Sequence, residues 1–172
     1  VGPAWPNPGF PMQDFVVRAL VMGVFATAVL DLWALLLNRL FGFGLPNWAL
    51  VGRWFAHLPR GRFVHADIAA APGFANELAI GWIMHYAVGI AFAAATLLLA
   101  GPGFAKAPTP FWPLVVGWVT ILCGWLILQP GMGGGIAASK RANRTQIRIL
   151  NILGHTVFGL ALWAAALALA RG

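Results

Sequence analysis

The chain has 172 residues, of which 60% are hydrophobic and 9% charged, and its formal net charge is +7. A soluble domain carries about a quarter charged residues, so this composition excludes a soluble globular protein and points to an integral membrane protein. The basic residues lie beside the apolar runs, where topology signals belong, and imply no nucleic-acid partner.

Residues 1–14 carry four prolines and no lysine or arginine. That composition predicts a proline-rich periplasmic tail, with Trp5 and Phe10 resting at the membrane interface. The first apolar span runs over about 15–40, with Asp31 inside it and Asn38 and Arg39 at its close. In the connection that follows, Asn47 is placed to cap a short helix reaching His57. Trp48, Val51, Phe55 and Leu58 fall on one side of it and Arg53 on the other, the pattern of an amphipathic helix lying along the membrane. Pro59-Arg60-Gly61-Arg62 and Pro72-Gly73 turn the chain before a second span over about 78–100. A turn through Pro108 and Pro110 leads to the third span, about 111–129, with Pro113 in its first turn. Gln129-Pro-Gly-Met-Gly-Gly-Gly135 ends that span as a loose turn, and it lacks the Gly-Lys-Ser/Thr of a phosphate-cradling loop. The fourth span covers about 149–170. Each run is close to the ~20 apolar residues that cross a bilayer as a helix. Cys123, the single cysteine, is expected as a small core residue. The fold class is therefore all-α integral membrane, one domain over 15–172 with four transmembrane helices and one short interfacial amphipathic helix.

Arg39, Arg53, Arg60 and Arg62 lie beside or between the first two spans, and Lys140, Arg141, Arg144 and Arg148 between the last two. The other side holds Arg18, Lys106 and Arg171. The positive-inside rule puts both long connections in the cytoplasm and both termini in the periplasm. Aligning His85 with His155 matches His-x-x-x-Gly and the alanine-rich runs after it, and Leu20-Val-Met-Gly23 pairs with Leu114-Val-Val-Gly117. Two copies of a helical hairpin in one orientation would produce this pattern.

At about 1.5 Å of rise per residue, Asp31, His85 and His155 reach one depth, in the cytoplasmic third of the bilayer. Each stands in a column at four-residue spacing: Gly23/Thr27/Asp31, Gly81/His85/Gly89 and Asn151/His155/Gly159. Gly23, Gly81, Gly89 and Gly159 suit close helix packing. Ionisable groups facing lipid are costly, so Asp31, His85, His155, Thr27 and Asn151 are expected to form one intramembrane polar cluster. The residues leave its role open. It can be hydrogen-bonded glue between helices, a proton or ion path with Asp31 as carrier, or a metal site of two imidazoles and a carboxylate. The space beside Gly81 and Gly89 also suits a flat ring, and His85 with His155 can supply axial ligands to haem or another tetrapyrrole. In the first connection, His57, Arg60, Arg62 and His65 can contact a phosphate or lipid head group, beside the plainer reading of topology charges and surface histidines.

Several stretches together resemble an uncharacterised bacterial membrane protein family, domain of unknown function 2938. They are Ala28-Val-Leu-Asp-Leu-Trp-Ala-Leu-Leu-Leu37, Leu50-Val-Gly-Arg-Trp-Phe-Ala-His-Leu-Pro-Arg-Gly-Arg-Phe63, Gly81-Trp-Ile-Met-His-Tyr86, Gln129-Pro-Gly-Met132, Ala137-Ala-Ser139 and His155-Thr-Val-Phe-Gly159. The resemblance implies a bacterial inner-membrane protein of about four helices and brings no activity with it. No nucleophile-and-base pair stands out, so the leading expectation is a non-enzymatic accessory or assembly subunit. Its partners would be the lipid bilayer and other membrane protein subunits of a larger respiratory or photosynthetic complex. The alternatives are a small proton- or ion-linked transporter using Asp31, His85 and His155, and a haem- or pigment-binding protein.

Overall fold

Four helices are long and apolar enough to cross a membrane: α1 (Met12–Phe41), α3 (Glu77–Ala100), α4 (Phe111–Gly131) and α5 (Arg144–Arg171). Between the first two lies the short α2 (Trp48–His57). The computed structural model describes Pro6, Gly9 and residues 11–171, and among these there is no β-strand. Trp5 and Phe10, expected as interfacial anchors, lie outside the described residues.

The spans fall where hydropathy puts them, with two differences at the edges. α1 begins at Met12, so the end of the expected tail is helical. α5 begins at Arg144, five residues ahead of the apolar edge. Hydropathy marks where lipid contact starts, whereas the helix begins within the connection, to which Arg148 Nε ties it by donating to the Ala137 carbonyl at 2.8 Å. α2 starts as its cap predicts: the Asn47 side chain accepts from the Leu50 amide at 3.2 Å.

The helices close into a ring, with α1 against α3 and α5, and α4 against α5 and, less extensively, α3. Small residues set two of these crossings. A methyl on Gly23 would lie 2.5 Å from the Ile90 Cα, and one on Gly117 would lie 2.6 Å from the His155 carbonyl oxygen and 3.4 Å from the Gly159 Cα. Gly89 also borders the first crossing, so the glycines that the hairpin alignment makes equivalent meet in both hairpins. Below them, Ala19, Met22, Ala26, Ala93, Leu97, Phe158 and Leu162 form the buried core near the short connection between α3 and α4. Polar groups gather toward the other end. There the two long connections touch: the His65 amide donates to the Gly131 carbonyl at 2.9 Å and the Ile68 amide to the Met132 carbonyl at 3.2 Å.

α4 is not a regular helix throughout. Gly124–Leu128 forms a π turn just ahead of Pro130, which has no amide hydrogen to offer the regular ladder. The turn lets Trp125 and Gln129 reach the same oxygen of Asn151 on α5, at 2.9 and 3.2 Å. Cys123 sits just before it and is exposed, not in the core. On an apolar helix, exposure faces lipid, which suits a small thiol as well as a core does.

Candidate functional site

The antiparallel pairing of α1 and α3 builds the site. Thr27 occupies the space over Gly89, where an added methyl would meet the Thr27 hydroxyl. In such a pair, four residues forward on α1 is four back on α3, so Asp31 arrives opposite His85. His85 Nε2 lies 3.0 Å from Asp31 Oδ1, and the Tyr86 hydroxyl donates to Asp31 Oδ2 at 3.0 Å. Both carboxylate oxygens are held by neighbouring residues of α3.

α2 supplies the second wall. It meets α3 at Gly52 and Gly81, where a methyl on Gly52 would overlap the Glu77 carbonyl and one on Gly81 the Trp48 carbonyl. That approach lays the Trp48 ring over the His85 ring, with centroids 3.9 Å apart and planes 28° from parallel. Trp82 stands 5.4 Å from Trp48. Asp31, Trp48, Trp82 and Tyr86, with Leu32 and Leu35, line a cleft of about 510 Å³. The His85 and Asp31 side chains are 12% and 24% exposed, buried enough to strengthen their bond.

Arg53 fixes α2 in this place. Its guanidinium grips Glu77 at the start of α3 through two bonds of 2.8 Å and donates to the carbonyls of Ala69 and Ala71 at 2.9 and 3.1 Å. The hydrogen bonds to Glu77 hold Arg53 above its ordinary, already high pKa. One side chain thus joins α2, the connection and α3.

The other residues expected in the cluster go elsewhere. His155 Nδ1 donates to the Gly117 carbonyl at 2.9 Å, with the Thr120 hydroxyl 3.3 Å away, which ties α5 to α4. Asn151 faces Trp125 and Gln129 on α4, and Thr27 has a buried hydroxyl without a hydrogen-bond partner. The single expected cluster is therefore two sites, one between α1 and α3 and one between α4 and α5. Depth alone grouped them, but His85 and His155 face different helices.

The geometry also removes the room expected for a tetrapyrrole beside His85. Gly81 is covered by the Trp48 carbonyl and Gly89 by Thr27, so the space that glycine leaves is filled by α2 and α1. Among the described residues, no three His, Cys, Asp or Glu side chains come together to hold a metal ion. In the first connection, His57 and His65 meet, with ring centroids 4.7 Å apart. Arg60 instead lies over the Phe74 ring at 4.3 Å, and Arg62 is exposed. Phe74 packs edge-on against His57 as well, so Arg60 meets the histidines only through that ring.

A family model for proteins of unknown function, DUF2938, matches residues 20–169. The chain belongs to that family. No curated protein matches it, and neither does any solved structure. The match in this DUF2938 protein takes in both long connections, the whole of α3 and α4, and most of α1 and α5.

Four residues of the site were not marked as such by the sequence. Tyr86, the chain's single tyrosine, could have been marked as a polar group next to His85 in an apolar span. Trp48 and the Arg53–Glu77 pair carried no such signal, because what they touch depends on how α2 folds back onto α3.

Proposed function

We propose that this DUF2938 protein is a small proton- or ion-linked membrane transporter working through Asp31, His85 and Tyr86. It would sit in a bacterial inner membrane with both long connections in the cytoplasm and both termini in the periplasm. The orientation rests on the basic residues, eight of the eleven of which lie at or beside those connections.

The observation that carries the reading is a carboxylate bonded to an imidazole at 3.0 Å, on helices made for a membrane and at the wall of a cleft. An ionisable group placed there is costly, and such groups mark substrate and proton paths. Imidazole changes charge between about pH 5 and 8. An imidazole and a carboxylate in contact can pass a proton between them, which is what a proton relay needs. The Tyr86 hydroxyl donates to the second carboxylate oxygen, so the carboxylate is held on both sides. The accessory-subunit reading draws on exposed apolar faces, which a bilayer covers equally well.

The test is proton flux in proteoliposomes, followed with an enclosed pH-sensitive dye. Wild type and His155→Ala should conduct, whereas Asp31→Asn, still folded and inserted, should fall to the rate of empty vesicles. Flux in Asp31→Asn equal to wild type would sink the reading. So would a silent wild type that is recovered from its own membranes bound to other chains, which returns the protein to the accessory class.

A further inference from the structure

His57 and His65 lie in the first long connection, apart from the Asp31 cleft. Each ring has one nitrogen facing a backbone carbonyl: His57 Nε2 is 3.1 Å from the Pro72 oxygen, and His65 Nδ1 is 3.2 Å from the Gly131 oxygen. A carbonyl only accepts, so those nitrogens carry the ring protons and the opposite nitrogens present lone pairs. The opposite nitrogens are His57 Nδ1 and His65 Nε2, both buried and both without a hydrogen-bond partner. His57 is 2% exposed, and neither of these nitrogens is open to bulk solvent.

This is the arrangement of metal-binding histidines. Their second nitrogen is held by a backbone carbonyl or carboxylate, which fixes the tautomer and aims the lone pair. The ring spacing also fits. With both lone pairs aimed at one point, a cation about 2.1 Å from each nitrogen lies about 3.2 Å from each ring centre, and centres 4.7 Å apart then subtend about 95° at it. That angle suits two neighbouring ligands of one ion.

We propose that His57 Nδ1 and His65 Nε2 bind a divalent d-block cation, with Zn²⁺ the natural probe. Imidazole pairs suit zinc, copper and nickel and do not suit magnesium or calcium. Closed structural zinc sites use four protein ligands, so two mark an exchangeable ion whose other positions go to water or backbone oxygen. A cleft of about 460 Å³ lined by His65, Ser139 and Lys140 borders the site on the His65 side. Of the nearby cations, Arg53 is answered by Glu77 at 2.8 Å, while Arg60, over the Phe74 ring that packs on His57, and Lys140 in the cleft act against the ion. His65 is held by Gly131 at the end of α4, so the ion would join the first connection to the second. The site shares no residue with the proposed proton pair and stands whether or not the protein conducts.

The test uses the full chain in detergent, without a polyhistidine tag and stripped by chelator, titrated with Zn²⁺ alone against a chromogenic indicator. Wild type should bind one Zn²⁺ per chain. Affinity should fall roughly tenfold or more in His65→Ala and in His57→Gln, and stay within about twofold in His85→Ala and His155→Ala. His57 is buried, so its variant can fail to fold. His65→Ala, at a half-buried loop position, keeps the test decisive, and loss of a Co²⁺ d–d absorption band in that variant is the second readout. No stoichiometric Zn²⁺ on wild type overturns the proposal, as does unchanged affinity in folded His65→Ala.

Discussion

Alanine in place of Gly81 puts a methyl group against the carbonyl oxygen of Trp48, where α2 crosses α3. Two terms of opposite sign compete. Replacing a helix-interior glycine by alanine gains about 1 kcal/mol of helix propensity. Forcing an extra methyl into a packed contact costs about 1–3 kcal/mol, and the upper end applies because the obstacle is backbone that no rotamer change can move. The net loss is therefore about 1–2 kcal/mol, or a melting midpoint lower by about 2–8 °C for a chain of this length. Gly124 is the internal control. It is helical, and nothing lies within 4 Å of where its Cβ would go. Gly124→Ala keeps the propensity gain and should melt about 2–4 °C above wild type. Gly52→Ala should behave like Gly81→Ala, since its methyl would enter the same crossing from the other helix. The double variant should cost less than the sum, because helices already parted for one methyl admit the second. Midpoints can be read in detergent from the protein that stays monodisperse after heating. Gly81→Ala as stable as Gly124→Ala would refute the tight α2–α3 crossing, and with it the stacking of Trp48 on His85.

Two further outcomes test other parts of the fold. Ala137 has φ +48° and Ala138 φ +59°, a left-handed conformation that costs a non-glycine residue about 1–2 kcal/mol. Ala137→Gly should raise the melting midpoint, while Ala138→Gly gains less because its methyl is 1% exposed and loses its packing; equal shifts in the two would count against this. In a Cys123→Ser background, Arg60→Cys and Lys106→Cys should be labelled by an impermeant thiol reagent from opposite faces, with Arg60→Cys reached from the cytoplasm. Labelling of both from one face would disprove the four-span arrangement.

The sequence alone determined the number of spans, because apolar runs of this length have few other ways to satisfy their backbone than as helices across lipid. It also determined the start of α2, where Asn47 caps a local turn, and the shared end of the two long connections, which chain parity requires of four spans. Four-residue columns placed Asp31 and His85 on helix faces at a common depth, and the structure joins them at 3.0 Å. Depth, however, says nothing about which helix lies opposite, so it could not separate His155 from His85. That was decided by small-residue crossings between helices, Gly23 with Gly89 and Gly117 with Gly159. The same crossings explain why Gly81 is not open space: a glycine column reads alike whether a ligand or a neighbouring backbone fills it, and here α2 does. Arg53 reads as a topology charge until the chain folds back and brings Glu77 within 2.8 Å. Spacing along one helix is a local property fixed by the chain's own geometry, whereas partners across helices are set by packing, which only the assembled bundle contains.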